Sequence, residues 1–191
     1  MKKLQAVTLL GCTALLCGCA AGPTETWRNF ISQPEDDQRL HAVQMLIRPA
    51  QDPCASVAGL ENADRSRLVA LVASGNERAF EVSLRIKKCL DGGELEGMLI
   101  GVGAFLDRKP EAFLVGVSQL EQSNAQVADM VRALPLELTD DFDGMIKLIQ
   151  KRRVSLAAIA RSDVSQLRGR AIDILAAYEA ELRKTKLELH N

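Results

Sequence analysis

The stretch ELEGMLIGVGAFL, residues 94–106, is the segment from which the fold can be inferred first. Its large apolar residues recur every three or four positions, which is typical of the buried face of an α-helix. They are Leu95, Met98, Leu99, Val102, Phe105 and Leu106. Gly97 and Gly101 lie one turn apart and Gly103 is close by. Because glycine disfavours a helix by about 1 kcal/mol relative to alanine, their recurrence predicts that another backbone approaches closely. A short strand over 98–105 is the competing interpretation.

Apolar stripes with helical spacing also flank this segment on both sides. The predicted helix caps are Ser32 with Glu35, then Asn62, Asn76, Ser123, Thr139 and Asp163, and Pro110 starts a further helix. The apolar segment 154–160 is expected to continue after a bend. No pattern of period two is found. The sequence therefore predicts an all-α fold of seven to nine helices, either an irregular multi-helix bundle or a short α-solenoid. The solenoid is suggested because helix pairs of roughly 30 residues resemble HEAT-type helical repeats.

The N-terminus has the parts of a secretory signal peptide. Lys2 and Lys3 precede an uncharged, mostly apolar run over 4–16, which is too short to span a bilayer. The run ends in Leu16-Cys17-Gly18-Cys19. This motif resembles the lipobox of bacterial lipoproteins. The resemblance implies cleavage before Cys19 and lipidation of Cys19, and in a Gram-negative cell it implies sorting to the outer membrane.

Two alternatives for the N-terminus remain open. Leu9-Leu10-Gly11-Cys12 also fits the lipobox pattern, but it leaves a shorter apolar run. A plain cleaved signal is the other alternative. The preferred interpretation divides the chain into a signal peptide over 1–18, a lipidated cysteine with a tether over 19–31, and one helical domain over 32–191. Trp27 and Phe30 are expected to dock on that domain, with the lipid interface as the alternative.

Cysteine usage agrees with an oxidising compartment. Cys12 and Cys17 leave with the signal peptide and Cys19 takes the lipid, so Cys54 and Cys89 remain as a pair. We predict a disulfide between these two residues, with two buried thiols as the alternative.

Aromatic residues make up only 4% of the chain, so aliphatic side chains must fill the core.

Charge is unevenly distributed along the chain. The 127 residues from 20 to 146 carry 12 basic and 20 acidic residues, whereas 147–191 carry 10 basic and 5 acidic ones. The basic side chains are a candidate contact surface for anionic lipid or an acidic partner. These residues are Lys147, Lys151, Arg152, Arg153, Arg161, Arg168 and Arg170. The alternative is that they pair internally with the acidic first part.

Other candidate sites are weak. His41 and His190 lie without metal-ligand spacing around them. The run Asp141-Phe142-Asp143-Gly144 resembles part of an EF-hand loop, but Thr139 and Gln150 occupy the positions of the strong ligands. The aspartates suit the positively charged start of a helix instead. No catalytic motif is found, so no cofactor, metal or small-molecule substrate is predicted.

These observations favour a lipid-anchored envelope protein that binds another envelope protein without catalysis. An immunity-type lipoprotein, which neutralises a toxin entering the envelope, is the alternative, and an envelope enzyme is a third. Nucleic acid is not an expected partner outside the cytoplasm.

Overall fold

The computed structural model describes residues 21–48, 50–120 and 123–189. Within these ranges the chain forms ten α-helices and no strand, which confirms the all-α prediction and exceeds the expected number of helices. The helices are α1 (Pro23–Ser32), α2 (Asp37–Leu46), α3 (Pro53–Ala58), α4 (Asn62–Ala73), α5 (Glu77–Ile86), α6 (Gly92–Arg108), α7 (Pro110–Ser118), α8 (Asn124–Arg132), α9 (Phe142–Ala157) and α10 (Ser165–Leu189). Single 3₁₀ turns lie at Lys87–Cys89, Leu136–Leu138 and Ser162–Val164.

The helix predicted from residues 94–106 is the centre of the bundle. It forms α6, which packs against α4 on one side and α8 on another. A Cβ atom built on Gly101 would lie 3.2 Å from the carbonyl oxygen of Val69, and one on Gly103 would lie 2.3 Å from that of Ala133. The predicted close backbone approach is confirmed at these two glycines. Gly97 has no neighbour within 4 Å of such an atom, so the prediction is wrong there.

The N-terminal boundary of the helical domain needs a correction. The expected tether over 19–31 contains α1, which begins at Pro23 and buries Trp27 and Phe30 completely. Proline is favoured in the first turn because its missing N–H would be unpaired there anyway. Docking of the two aromatic side chains is confirmed, and the folded domain includes at least residues 23–31.

Two of the helix caps predicted from the sequence are confirmed. The Asn76 side chain accepts a hydrogen bond from the amide of Ala79 at 2.9 Å, and Ser123 forms a capping box with Gln126. Gly75 ends α4 with φ of +93°, a conformation that favours glycine. The predicted cap at Ser32 is wrong, because Ser32 ends α1.

The caps of four helices differ from prediction. Asn62, which was expected to cap α4, is the first residue of that helix. Asp36 caps α2, and Asp141, rather than Thr139, caps α9. Asp163 lies in the 3₁₀ turn that precedes α10. The bend expected near 154 is absent from α9, which is continuous to Ala157.

The C-terminal helices form an antiparallel pair. Lys186 near the end of α10 binds Asp143 at the start of α9 at 2.7 Å, and Gln150 binds Glu179 at 2.7 Å midway along both helices. This pair packs against α8 and α7. In the core, the Phe80 ring of α5 and the Phe105 ring of α6 stack with their centroids 4.0 Å apart.

The predicted disulfide is confirmed. Cys54 in α3 is bonded to Cys89 in the 3₁₀ turn after α5, 35 residues later. Closing a loop of this length stabilises the folded state by about 4 kcal/mol in the chain-entropy model. Within the described ranges, no helix combines the length and the hydropathy needed to cross a bilayer.

Candidate functional site

Arg152 was predicted to contribute to a contact surface, and the structure corrects this. It is among the largest fully buried side chains, with 1% of its surface exposed. Its Nε and Nη2 donate to the two carboxylate oxygens of Asp107 at 2.8 and 2.9 Å. Its Nη1 donates to the carbonyl oxygens of Val131 and Ala133 at 2.7 and 2.8 Å. The guanidinium is therefore an internal group that joins α9 to α6 and to the end of α8.

Three further arginines of the predicted surface also have internal partners. Arg153 donates to Glu179 at 2.8 Å. Arg161 binds Asp163 at 2.8 Å. Arg168 donates to the carbonyl oxygen of Ile159. With Arg152, four of the seven predicted residues have partners within the domain. Arg152 and Arg161 reach Asp107 and Glu111 in the acidic first part, as the alternative expected. Arg153 and Arg168 instead bind groups of the last third, so the alternative does not hold for them.

The other three basic residues are not engaged in this way. Lys147 and Lys151 are exposed on α9, and Arg170 is half-buried on α10. None of them has an ion pair within 21–48, 50–120 or 123–189. Because Arg152 is buried, the seven residues do not all lie on one exposed surface.

The remaining predicted sites are placed as follows. Cys19 and His190 lie outside the described residues, and His41 is exposed on α2. Asp141 accepts from the amide of Gly144 at 2.9 Å, which is a helix cap, while Asp143 pairs with Lys186. In the part of the chain that the structure describes, no three potential ligands are close enough to hold a metal ion.

The most distinctive surface feature is a groove that the sequence did not reveal. It has a volume of about 710 Å³ and lies between α6, the connection from α8 to α9, and α10. Most of its lining is apolar and only partly buried. The apolar members are Leu95, Leu99, Ile100, Leu134, Pro135, Leu136, Phe142, Met145, Tyr178 and Leu182. We call this feature the α6–α10 groove.

Leu136 makes the α6–α10 groove a candidate binding surface rather than an incompletely filled part of the core. Its side chain is 64% exposed at the lip of the groove, in the 3₁₀ turn that precedes α9. A large exposed apolar side chain next to a concave apolar lining is typical of a surface that another molecule covers.

The buried Arg152–Asp107 pair shapes one wall of the α6–α10 groove. The end of a helix leaves carbonyl groups without intrahelical partners, and Arg152 satisfies two of them at the end of α8. Gly103 leaves room for this contact, because a Cβ atom there would lie 3.0 Å from Nη2 of Arg152. The backbone that carries Arg132, Leu134 and Pro135 is thereby held in place. Arg152 thus affects the α6–α10 groove only indirectly, because it fixes the position of the backbone that forms this wall.

Arg132 is the basic side chain of the α6–α10 groove. Its guanidinium carbon lies 5.2 Å from the centre of the Tyr178 ring, within the range of a cation–π interaction. Its Nε is buried and has no hydrogen-bond partner in the described residues. Glu96 and Asp129, both exposed, are the acidic residues of the lining.

Two other cavities are less suited to binding. A cavity of about 520 Å³ between α4 and α6 is bordered by Arg65 and Glu94, which form an ion pair with each other. A more polar one of about 950 Å³ beside α1 contains Arg28, which is paired with Glu61 and Asp64. In both cavities these charged side chains already have protein partners.

One sequence signal could have placed Arg152 correctly. Met145, Ile149, Arg152 and Leu156 continue a single helical stripe, and all four are buried. The position of Arg152 on this stripe predicts that its side chain is buried, whereas its basic neighbours Lys151 and Arg153 favoured an exposed side chain.

Comparison with protein-family models, with curated proteins and with solved structures found no match for this chain.

Proposed function

We propose that this protein is a lipid-anchored protein of the bacterial envelope that binds another envelope protein without catalysis. The α6–α10 groove is the docking surface in this proposal. The observation that carries it is the combination of a concave, partly exposed apolar lining with Arg132, whose Nε has no hydrogen-bond partner among the described residues. Lipidation at Cys19 rests on the resemblance of residues 16–19 to the lipobox.

Site-specific photo-crosslinking in cells tests the docking surface. A photoreactive phenylalanine analogue is placed at Leu136, which is 64% exposed in the groove, or at Val154, which is 71% exposed on α9 and outside the groove lining. We expect a discrete adduct with another protein from position 136 and none from position 154. Equal labelling at the two positions would show that exposure alone determines the adducts, and the docking surface would be rejected.

A further inference from the structure

The α6–α10 groove contains a cation whose hydrogen-bonding capacity is not used by the domain. No guanidinium nitrogen of Arg132 has a hydrogen-bond partner in the described residues, although Nε is buried. Tyr178 supports the cation from one side at 5.2 Å, but a ring face accepts no strong hydrogen bond. Because nearly all buried polar groups of native proteins have a partner, one without a partner inside the domain calls for a partner from outside it.

The charges near Arg132 indicate what that ligand carries. A guanidinium forms two parallel hydrogen bonds with a carboxylate, and these are among the stronger polar contacts in proteins. Burial lowers the pKa of Lys87, and the negative charge of nearby Asp129 partly opposes that lowering. Glu96, which is exposed on α6, also lines the groove. A single arginine near two rim carboxylates suits a monoanion better than a doubly charged phosphate.

We infer that the α6–α10 groove binds an apolar peptide segment of a partner protein, with one Asp or Glu carboxylate of that segment held by Arg132. This inference rests on the proposed function and specifies its partner. A peptide fits better than a fatty acid because the rim also offers hydrogen-bonding groups at Glu96, Asp129 and Thr139. Peptide N–H groups can use these acceptors, whereas an acyl chain cannot.

Peptide selection on the intact protein tests the inference. A random dodecapeptide phage library is panned against the full-length protein in lipid nanodiscs, with empty nanodiscs for counterselection. We expect the selected peptides to share apolar residues and at least one Asp or Glu. Arg132→Gln should weaken their binding about tenfold or more, as loss of a hydrogen bond to a charged group predicts. Replacing the acidic residue of the peptide by its amide should weaken binding as much, with no further loss on the Arg132→Gln protein.

Two additional variants show whether a negative result rejects only the carboxylate contact or the docking surface as well. Arg132→Lys keeps the charge and should retain part of the affinity, and thermal unfolding of each variant checks that the domain is folded. If Leu136→Ser abolishes binding while Arg132→Gln leaves it unchanged, the carboxylate contact is wrong and the docking surface stands. If neither variant changes binding, or if no peptide is selected, both proposals fail. Saturable binding of dodecanoate that depends on Arg132 and excludes the selected peptides would overturn the peptide as occupant.

Discussion

At the scale of single residues, Arg152 has the largest predicted effect on stability. Removing its guanidinium leaves the Asp107 carboxylate and two carbonyl groups without their partner inside the bundle. Breaking a buried ion pair in this way costs about 3–5 kcal/mol. We therefore expect Arg152→Met to lower the free energy of unfolding by about that amount in urea denaturation. Lys151→Met, at the exposed neighbouring position, is the control and should change it by less than about 0.5 kcal/mol.

The lowered pKa of Glu179 predicts how the stability of the domain depends on pH. Hydrogen bonds from Arg183, and then from Gln150 and Arg153, lower the pKa of its carboxyl below the ordinary value of 4.5. The unfolded chain therefore binds the proton more readily than the folded domain does. The stabilisation is complete at neutral pH, and it is lost as the pH falls below about 4.5 and through the folded-state pKa.

Glu179→Gln should make the unfolding free energy less dependent on pH. The difference from the parent should appear as the pH falls from neutrality to below about 4.5 and through the folded-state pKa of Glu179. Urea denaturation at a series of pH values measures the change. Glu181→Gln, an exposed position on the same helix, is the matched control. If both variants follow the pH dependence of the parent, the network around Glu179 does not contribute to it.

At the scale of helices, the two glycine environments of α6 give opposite predictions. Gly103→Ala places a methyl group 2.3 Å from the carbonyl oxygen of Ala133, so α6 and α8 must separate. We expect a loss of about 1–3 kcal/mol in unfolding free energy, despite the better helix propensity of alanine. Gly97→Ala meets nothing within 4 Å and should stabilise the domain by up to about 1 kcal/mol. If Gly97→Ala and Gly103→Ala destabilise the domain equally, close packing against α8 is not the reason why Gly103→Ala is destabilising.

The same helices show what could be predicted from the sequence. Asn76 and Ser123 were placed correctly because a cap depends on residues within one turn. The start of α1 differs from the prediction because a Gly-Pro pair such as Gly22-Pro23 is typical of a linker, although proline also starts helices. The α6–α10 groove could not be predicted, because it brings together Leu99, Leu136 and Tyr178 from three distant parts of the chain. Which arginine is buried likewise depends on such tertiary neighbours.

At the scale of the whole molecule, the position of α1 sets a limit on the proposed distance between the domain and a membrane. If Cys19 carries the lipid, only residues 20–22 separate it from Pro23, the first residue of α1. Four Cα–Cα steps span at most roughly 14 Å in an extended chain. Trp27 and Phe30 then fix α1 to the core, so the anchored domain is expected to remain next to the lipid surface.

The proposed membrane attachment rests on the resemblance of residues 16–19 to the lipobox, and it gives the last prediction. Two or more acyl chains hold a protein stably on a bilayer, because each buried CH₂ contributes about 0.8 kcal/mol. Cys19→Ser should therefore move the protein out of the membrane fraction or block its processing, whereas Cys12→Ser should leave both unchanged. Cell fractionation measures the first effect, and mass spectrometry of the mature N-terminus measures the second. A mature protein that begins at another residue would contradict the assignment of Cys19, and the distance limit set by residues 20–22 would no longer apply.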